Sequence, residues 1–300
     1  MMNDITVLGL GTFDGVHTGH RVLIEKITEI AKEIRAVPSV YMFTNHPLSV
    51  LSSRPPELLT TYEEKTGIMT SLGIKCIFSE KFTLKFADIE PERFFEYIIK
   101  RTNAAHIVVG FNYSFGKKGA GDPALLGKLC NSRGMGLHII PPVKYNDIII
   151  SSTVIRQFIC DAQIEKANRL LGYEYFLTGT VSEGRRVGRD IGYPTANLET
   201  PAEKALPPAG VYLTRVIGDA LAAGAITNIG YRPTFGASDE LSIETYIPGY
   251  LGNLYGQKIK LSLIKKMRDE KRFESIEALK AQLQKDVMLA THYFQNEKRN

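Results

Sequence analysis

Along the first half of the chain, short apolar runs alternate with stretches whose apolar positions recur every three or four residues. The runs are ITVLG (5–9), PSVYMF (38–43), IKCIF (74–78), HIVVG (106–110) and GLHII (136–140). Mostly apolar and bounded by helical patterns, they predict strands, the first of them suited to a buried place in a parallel sheet. Between the first two, RVLIEKITEIAKEIR (21–35) sets Leu23, Ile27, Ile30 and Ile34 at spacings of four, three and four, the stripe of an amphipathic helix. Segments 61–73, 91–101 and 123–134 are each of crossover-helix length. The alternation predicts an α/β fold, a Rossmann-like parallel sheet with helices on both faces.

The texture changes after Gly172, which sits where a connecting helix over 160–172 would end. FLTGTVSEG (176–184), GVYLTRVIG (210–218), GAITNIG (224–230), SIETYI (242–247) and KIKLSLI (258–264) are short β-rich runs divided by turn residues. They predict a small antiparallel β-barrel. Residues 275–294 close the chain as an amphipathic helix with Ser275 as its cap. The domains expected are 1–172 and 173–300.

Composition adds bounds rather than detail. At 300 residues, 44% hydrophobic and 23% charged, the chain is long enough for two ordinary globular domains. A net charge of +5 suits anionic small molecules, and no Lys/Arg block is dense enough for a nucleic-acid track. Cys76, Cys130 and Cys160 are few, odd in number and far apart, which points to reduced packing residues in a cytoplasmic protein. No run approaches membrane-spanning length and no signal peptide is read at the start. The oligomeric state is left open.

The stretch richest in chemistry is GLGTFDGVHTGH (9–20), between the first strand and the first helix. Gly11, Gly15 and Gly19 would let the backbone approach a ligand, and the helix that follows aims unpaired N–H groups and its positive dipole end at the same place. This is an anion cradle of the phosphate-binding kind. His17 and His20 could both donate to phosphate oxygens; a metal pair is the rival, with only Asp14 nearby as a further ligand, and ordinary loop histidines are the plain alternative.

This stretch resembles the GxFDGVHxGH motif of the bacterial FAD synthetases, within the HxGH nucleotidyltransferase superfamily. The resemblance implies adenylyl transfer from ATP to FMN, with pyrophosphate leaving. It places His17 and His20 on phosphates, and Gly11, Thr12, Phe13 and Asp14 around the ATP. Further along, ISSTVIR (150–156) matches the family's ISSTxIR motif. Taken alone, Ser151, Ser152 and Thr153 are good N-cap residues; the resemblance gives them, with Arg156, to the triphosphate. The loop VGFNYSFGKKGAGD (109–122) is rich in glycine, aromatics and lysine, as a loop closing over a flat ligand would be. It is similar to the family's Asn-Phe-Arg-Phe-Gly string, which places Asn112 near the flavin, but Ser114 stands at the arginine position. In FTNHP (43–47) the family's usual aspartate is also missing, and His46 reads equally as a substrate-side residue or a turn histidine.

In the second half, GRRVGRDIGYPTANL (184–198) has glycines, arginines and a Pro194-Thr195-Ala196-Asn197 string offering a hydroxyl and an amide in a constrained turn. Such oxygen donors suit Mg2+, which keeps waters and bridges phosphates. A basic glycine-rich loop is the plain alternative. The stretch resembles the riboflavin kinase motif GRxxGxPTANL. That implies an ATP site of Gly188, Arg189, Gly192, Pro194, Thr195 and Asn197, with Thr195 and Asn197 at the metal. Glu244 falls where that family places its catalytic base, the alternative being a carboxylate on a strand's wet face; Arg268 would lie near the flavin. Tyr246 and Pro248-Gly249-Tyr250 replace the family's histidine and Leu-Asp-Phe. The whole resembles a bifunctional riboflavin kinase and FAD synthetase handling riboflavin, FMN, FAD and ATP with Mg2+. A chain with one degenerate half, or a flavin- or nucleotide-binding regulator, are the readings that compete with it.

Overall fold

The computed structural model describes residues 4–183, 191–219, 221–232 and 240–297. By compactness the chain divides into two units, Met1–Ser152 and Thr153–Asn300.

In the first unit, strands β1 (Thr6–Leu10), β2 (Val37–Phe43), β3 (Cys76–Glu80), β4 (Ala104–Gly110) and β5 (Gly136–Ile140) form one sheet in the order β3-β2-β1-β4-β5. Every pairing is parallel. The order reverses beside β1, so the turn leaving its carboxyl end opens at the point where such sheets bind ligands. Helix α1 (Thr18–Glu33) buries Leu23, Ile24, Ile27, Ile30 and Ala31 against β1 and β2. Ile34, expected on that stripe, is instead the residue that ends the helix and is exposed, because the last turn has passed the sheet's edge. Gly9 lets helix and strand touch: a methyl there would overlap Ile27. The remaining helices are α2 (Leu48–Leu51), α3 (Tyr62–Ser71), α4 (Leu84–Ala87), α5 (Pro91–Thr102) and α6 (Pro123–Ser132). Helix α3 starts on a full capping box, with Thr61 and Glu64 each bonding the other's backbone N–H. A two-residue pair of strands, β6 (Lys144–Tyr145) and β7 (Ile148–Ile149), follows.

Two helices, α7 (Ser152–Cys160) and α8 (Ile164–Leu171), lead on, and Gly172 ends the second in the left-handed conformation (φ 75°). In the second unit β8 (Phe176–Ser182), β9 (Thr195–Glu199), β10 (Gly210–Gly218), β11 (Leu221–Arg232), β12 (Glu240–Tyr246) and β13 (Lys258–Arg268) close into an antiparallel barrel, β10-β11-β12-β9-β8-β13. Thr195 to Asn197, expected in a turn, are strand β9, since two partners, β12 and β8, pair with them. The C-terminal helix Ile276–Glu297 is capped by Ser275, whose hydroxyl accepts from Ala278 N. It covers one outer face of the barrel, where Ala290 packs with Val211, Leu213, Ile226 and Ile264. The alternate residues face the other way: the hydroxyls of Thr214, Thr227 and Thr245 are linked in a row at 2.9 Å and 2.9 Å, fully buried. Of the cysteines, Cys130 is buried, Cys76 half-buried and Cys160 exposed, so Cys160 is not the packing residue expected.

Barrel closure has a checkable weak point. A methyl on Gly179 of β8 would run into the carbonyl oxygen of Glu199 on β9, and a strand backbone cannot rotate away as a side chain can. Gly179→Ala should cost about 1–3 kcal/mol of barrel stability, read as earlier unfolding of that half in denaturant; an unchanged midpoint would contradict the closure described.

Candidate active sites

The turn from β1 into α1 is a backbone contortion held from outside. Phe13 (φ 51°) and Val16 (φ 36°) adopt positive φ without being glycine, and Gly15 (φ 79°) lies between them. Such conformations cost about 1–3 kcal/mol each for non-glycine residues, and persist where the surroundings over-determine them. Asp14 is the main anchor. Its buried carboxylate accepts from Leu59 N (3.2 Å) and Thr60 N (3.0 Å), while Gly15 N donates to Thr60 Oγ1 (2.9 Å). Lys65 of α3 donates to the Thr12 carbonyl (2.7 Å), and Ser152, 138 positions along the chain, donates to the Asp14 carbonyl (2.9 Å). The two motifs read separately in the sequence are thus joined by one hydrogen bond.

This arrangement holds up two histidines. His17 caps α1, its Nδ1 accepting from His20 N at 3.3 Å, so its remaining proton sits on Nε2. The rings stack at 3.6 Å and 15°, with the Phe13 ring edge-on to His20 at 5.3 Å. Burial lowers His17 to about 4, with Asp14 pulling it back up; burial, then the charges of His17 and Lys65, keep His20 well below its usual value. Both are therefore neutral donors near pH 7, and His20 Nδ1 is buried without a hydrogen-bond partner among the described residues. A neutral donor pair at a helix N-terminus suits an anion. The metal alternative gains nothing: among the described residues no group of three or more His, Cys, Asp or Glu could hold an ion.

The motif's other residues are redistributed. Phe13 is fully buried in the core with Val16, and the Asp14 carboxylate holds the 59–60 backbone. Methyls on Gly11 and Gly19 would press on the Phe13 and His17 rings, so these glycines leave room for those rings. Thr12 is exposed beside them. Ser151 and Ser152 are half-buried; Thr153 is exposed in the first turn of α7, and Arg156 is half-buried one turn on. His46 is a turn residue, its Nδ1 accepting from Leu48 N at 3.1 Å. Asn112 is exposed just after β4, in a loop tied down by paired Phe115–Gly121 bonds and by Lys117 N on the Ile89 carbonyl (2.7 Å). Lys65 and Thr60 went unnoticed in the sequence, because a helix lysine and a loop threonine carry no motif; their long-range partners alone reveal them.

In the barrel, register assembles the second site. Asn197 of β9 stands directly across from Glu244 of β12, and Glu244 across from Asn228 of β11, so the three form a row on the outer face. One pair further, Thr195 faces Tyr246, whose ring meets that of Tyr193 edge-on at 5.2 Å. Asn197 is buried and Glu244 partly so. Glu270, not singled out in the sequence, reaches the same face: a methyl on Gly230, two residues from Asn228, would overlap its carboxylate. Gly192 (φ 88°) has open space around it, and Pro194 is exposed. Gly188 and Arg189 lie outside the described residues. Arg268, expected near the flavin, is paired with the C-terminal helix. Its Nη2 and Nε donate to Asp286 Oδ2 (2.8 Å and 3.1 Å), which clamps the C-terminal helix to β13 and removes the penalty of burying that carboxylate.

Residues 2–154 match the family model described as FAD synthetase, and residues 171–294 that of riboflavin kinase. The chain belongs to the bifunctional riboflavin kinase/FMN adenylyltransferase family. Relatives of that description include those of Listeria monocytogenes (36% identical over 290 residues, 96% of this chain and 92% of that one) and Bacillus subtilis (34% over 295 residues, 97% and 93%). That of Escherichia coli K12 is 32% identical over 292 residues, 96% and 92%. A crystal structure described as a macrolide-efflux protein from Streptococcus pneumoniae is also similar, at TM-score 0.90 and 30% identity over 97% of this chain and 95% of that one. Among the described residues no helix is long and apolar enough to cross a membrane. Both halves of the family's chemistry are present: a nucleotidyltransferase-like parallel sheet and a riboflavin-kinase-like barrel with its closing helix.

The buried pair makes a direct spectroscopic prediction. Because burial disfavours the charged imidazole, the His17 ring proton signals should keep neutral shifts from pH 7 downward and titrate near 4. A midpoint at or above 6 in an NMR titration would contradict the stacked, desolvated arrangement.

Proposed function

We propose that the N-terminal site performs adenylylation with the histidine pair and that the barrel performs phosphorylation with Glu244. The observation carrying the first is the neutral, stacked His17–His20 pair at the start of α1, braced by Asp14 and Ser152. In adenylyl transfer an FMN phosphate oxygen forms a bond to the α-phosphorus of ATP while the bond to the pyrophosphate oxygen breaks. The nucleophile is already an anion, so no general base is needed. Alignment and charge stabilisation are what the protein must supply.

His17 Nε2–H and the His20 ring N–H are the donors to phosphate oxygens, joined by backbone N–H groups of the first turn of α1. The Ser152 hydroxyl proton is already given to Asp14, so Ser151, Ser152 and Thr153 serve the triphosphate through the start of α7, and Arg156 adds charge. Gly11 and Thr12 form the rim on the ATP side, and Asn112 the flavin side. The domain division at 172/173 draws support from the left-handed Gly172 and from the riboflavin kinase match that begins at 171, whereas compactness divides the chain after Ser152 and assigns α7 and α8 to the second unit.

In the kinase half a riboflavin hydroxyl oxygen forms a bond to the γ-phosphorus of a second ATP while the bond to the ADP oxygen breaks, and the hydroxyl must lose its proton, which a carboxylate accepts. Glu244 is that base, next to Asn197 in register. Thr195 and Asn197 are neutral oxygen donors two residues apart on one face, a set that fits a hard cation completed by waters and phosphates. Mg2+, when bound there, neutralises phosphate charge. Gly192 and Pro194 shape the backbone that the nucleotide approaches. Arg268, which also clamps the C-terminal helix through Asp286, stands on the flavin side. The partners are small molecules, flavins and ATP, without nucleic acid or membrane, and the compartment is the cytoplasm, where ATP is made available to both halves.

Chromatography of the flavins formed from riboflavin, ATP and Mg2+, and from FMN and ATP, tests both assignments. The parent should yield FMN and FAD. His20→Ala should cut FAD formation by about 10²-fold or more while FMN formation continues, and Glu244→Gln should do the reverse. Loss of both activities in either variant would contradict two independent sites; ligand binding without product would leave a regulator.

A further inference from the structure

Lys65 is more than nine-tenths buried, yet its ammonium lies beside the backbone of the turn that carries the histidines. It comes from α3, whose entry residues Leu59 and Thr60 also anchor Asp14. The acid acting on it is Asp14, whose carboxylate already accepts two backbone N–H bonds, while burial works against the charge. A cation in such a place costs free energy that a methionine would not. An anion seated at the start of α1 would call for it.

We propose that Lys65 is a positioning residue of the adenylyl-transfer site, bracing the Thr12 carbonyl so that the positive-φ turn presents His17 and His20, and setting positive charge behind the ATP phosphates. The inference rests on reading the histidine pair as the phosphate end of that site. The Thr12 bond lies immediately before Phe13, the first left-handed residue, and the Asp14 and Ser152 bonds lie immediately after it. Without Lys65 the backbone before Phe13 loses this bond, while those at Asp14 and Gly15 remain. The hydrogen bond and the charge are separable by substitution: Lys65→Gln keeps a donor without charge, Lys65→Met keeps neither, and Lys65→Arg keeps both.

The test measures FMN adenylylation by the full chain, with kcat and KM for ATP, beside riboflavin phosphorylation as a control for folding. Lys65→Met should lose about 10–100-fold in kcat/KM. Lys65→Gln should lose about tenfold, chiefly as a raised KM for ATP. Lys65→Arg should recover to within about fivefold of the parent, and phosphorylation should stay unchanged in all three. Adenylylation by Lys65→Met within twofold of the parent would overturn the inference, as would a loss in Lys65→Arg as deep as in Lys65→Met. His20→Ala separates the two failures: if it makes FAD at the parent rate, the reading of the histidine pair falls and the inference with it. If it loses FAD formation while Lys65→Met does not, the inference alone falls.

Discussion

The N-terminal site depends on a buried carboxylate whose bonds run to backbone. Asp14 accepts from the N–H groups of Leu59 and Thr60, a loop far away in sequence, and this ties the turn after β1 to the entry of α3. The turn would not persist alone, because Phe13 and Val16 pay for positive φ and Val16 is β-branched. Lys65, Thr60 and Ser152 complete the restraint from three further directions. Its product is geometric: a helix that starts at His17 with both imidazoles on one side.

That geometry has an electrostatic consequence. Two imidazoles stacked at 3.6 Å cannot comfortably both be charged, and burial lowers both. The pair is therefore a set of fixed neutral donors rather than a proton carrier, which suits a reaction whose nucleophile arrives deprotonated. The barrel meets the opposite requirement. A hydroxyl nucleophile needs a base, and the pairing of β9, β12 and β11 lines Glu244 up between two asparagines on the outer face. The same alternation sends Thr214, Thr227 and Thr245 inward, where their hydroxyls satisfy one another.

Two departures from the family strings lie apart from the His17–His20 pair and the Asn197–Glu244 register. Ser114 is exposed in a loop fastened at Phe115–Gly121 and Lys117, so the loop keeps its shape without an arginine. Tyr246 is packed edge-on against Tyr193 beside Thr195, filling with an aromatic pair the place where a histidine is usual. Neither change touches the His17–His20 pair or the Asn197–Glu244 register.

Local sequence determined much. Apolar runs marked five strands, fully buried in β1 and half-buried in the edge strands β3 and β5, and α1 followed from the spacing of Leu23, Ile27 and Ile30. Ser275 and Gly172 marked helix ends because capping needs only neighbours. Motif spacing drew attention to His17 and His20, and only the resemblance to the family's strings drew it to Asn197 and Glu244. What each side chain is bonded to depended on contacts between distant segments, which no local pattern encodes. Only the fold showed that Phe13 and Asp14 support the site, that Arg268 belongs to Asp286, that Thr195 begins a strand, and that an unremarked helix lysine reaches the Thr12 carbonyl.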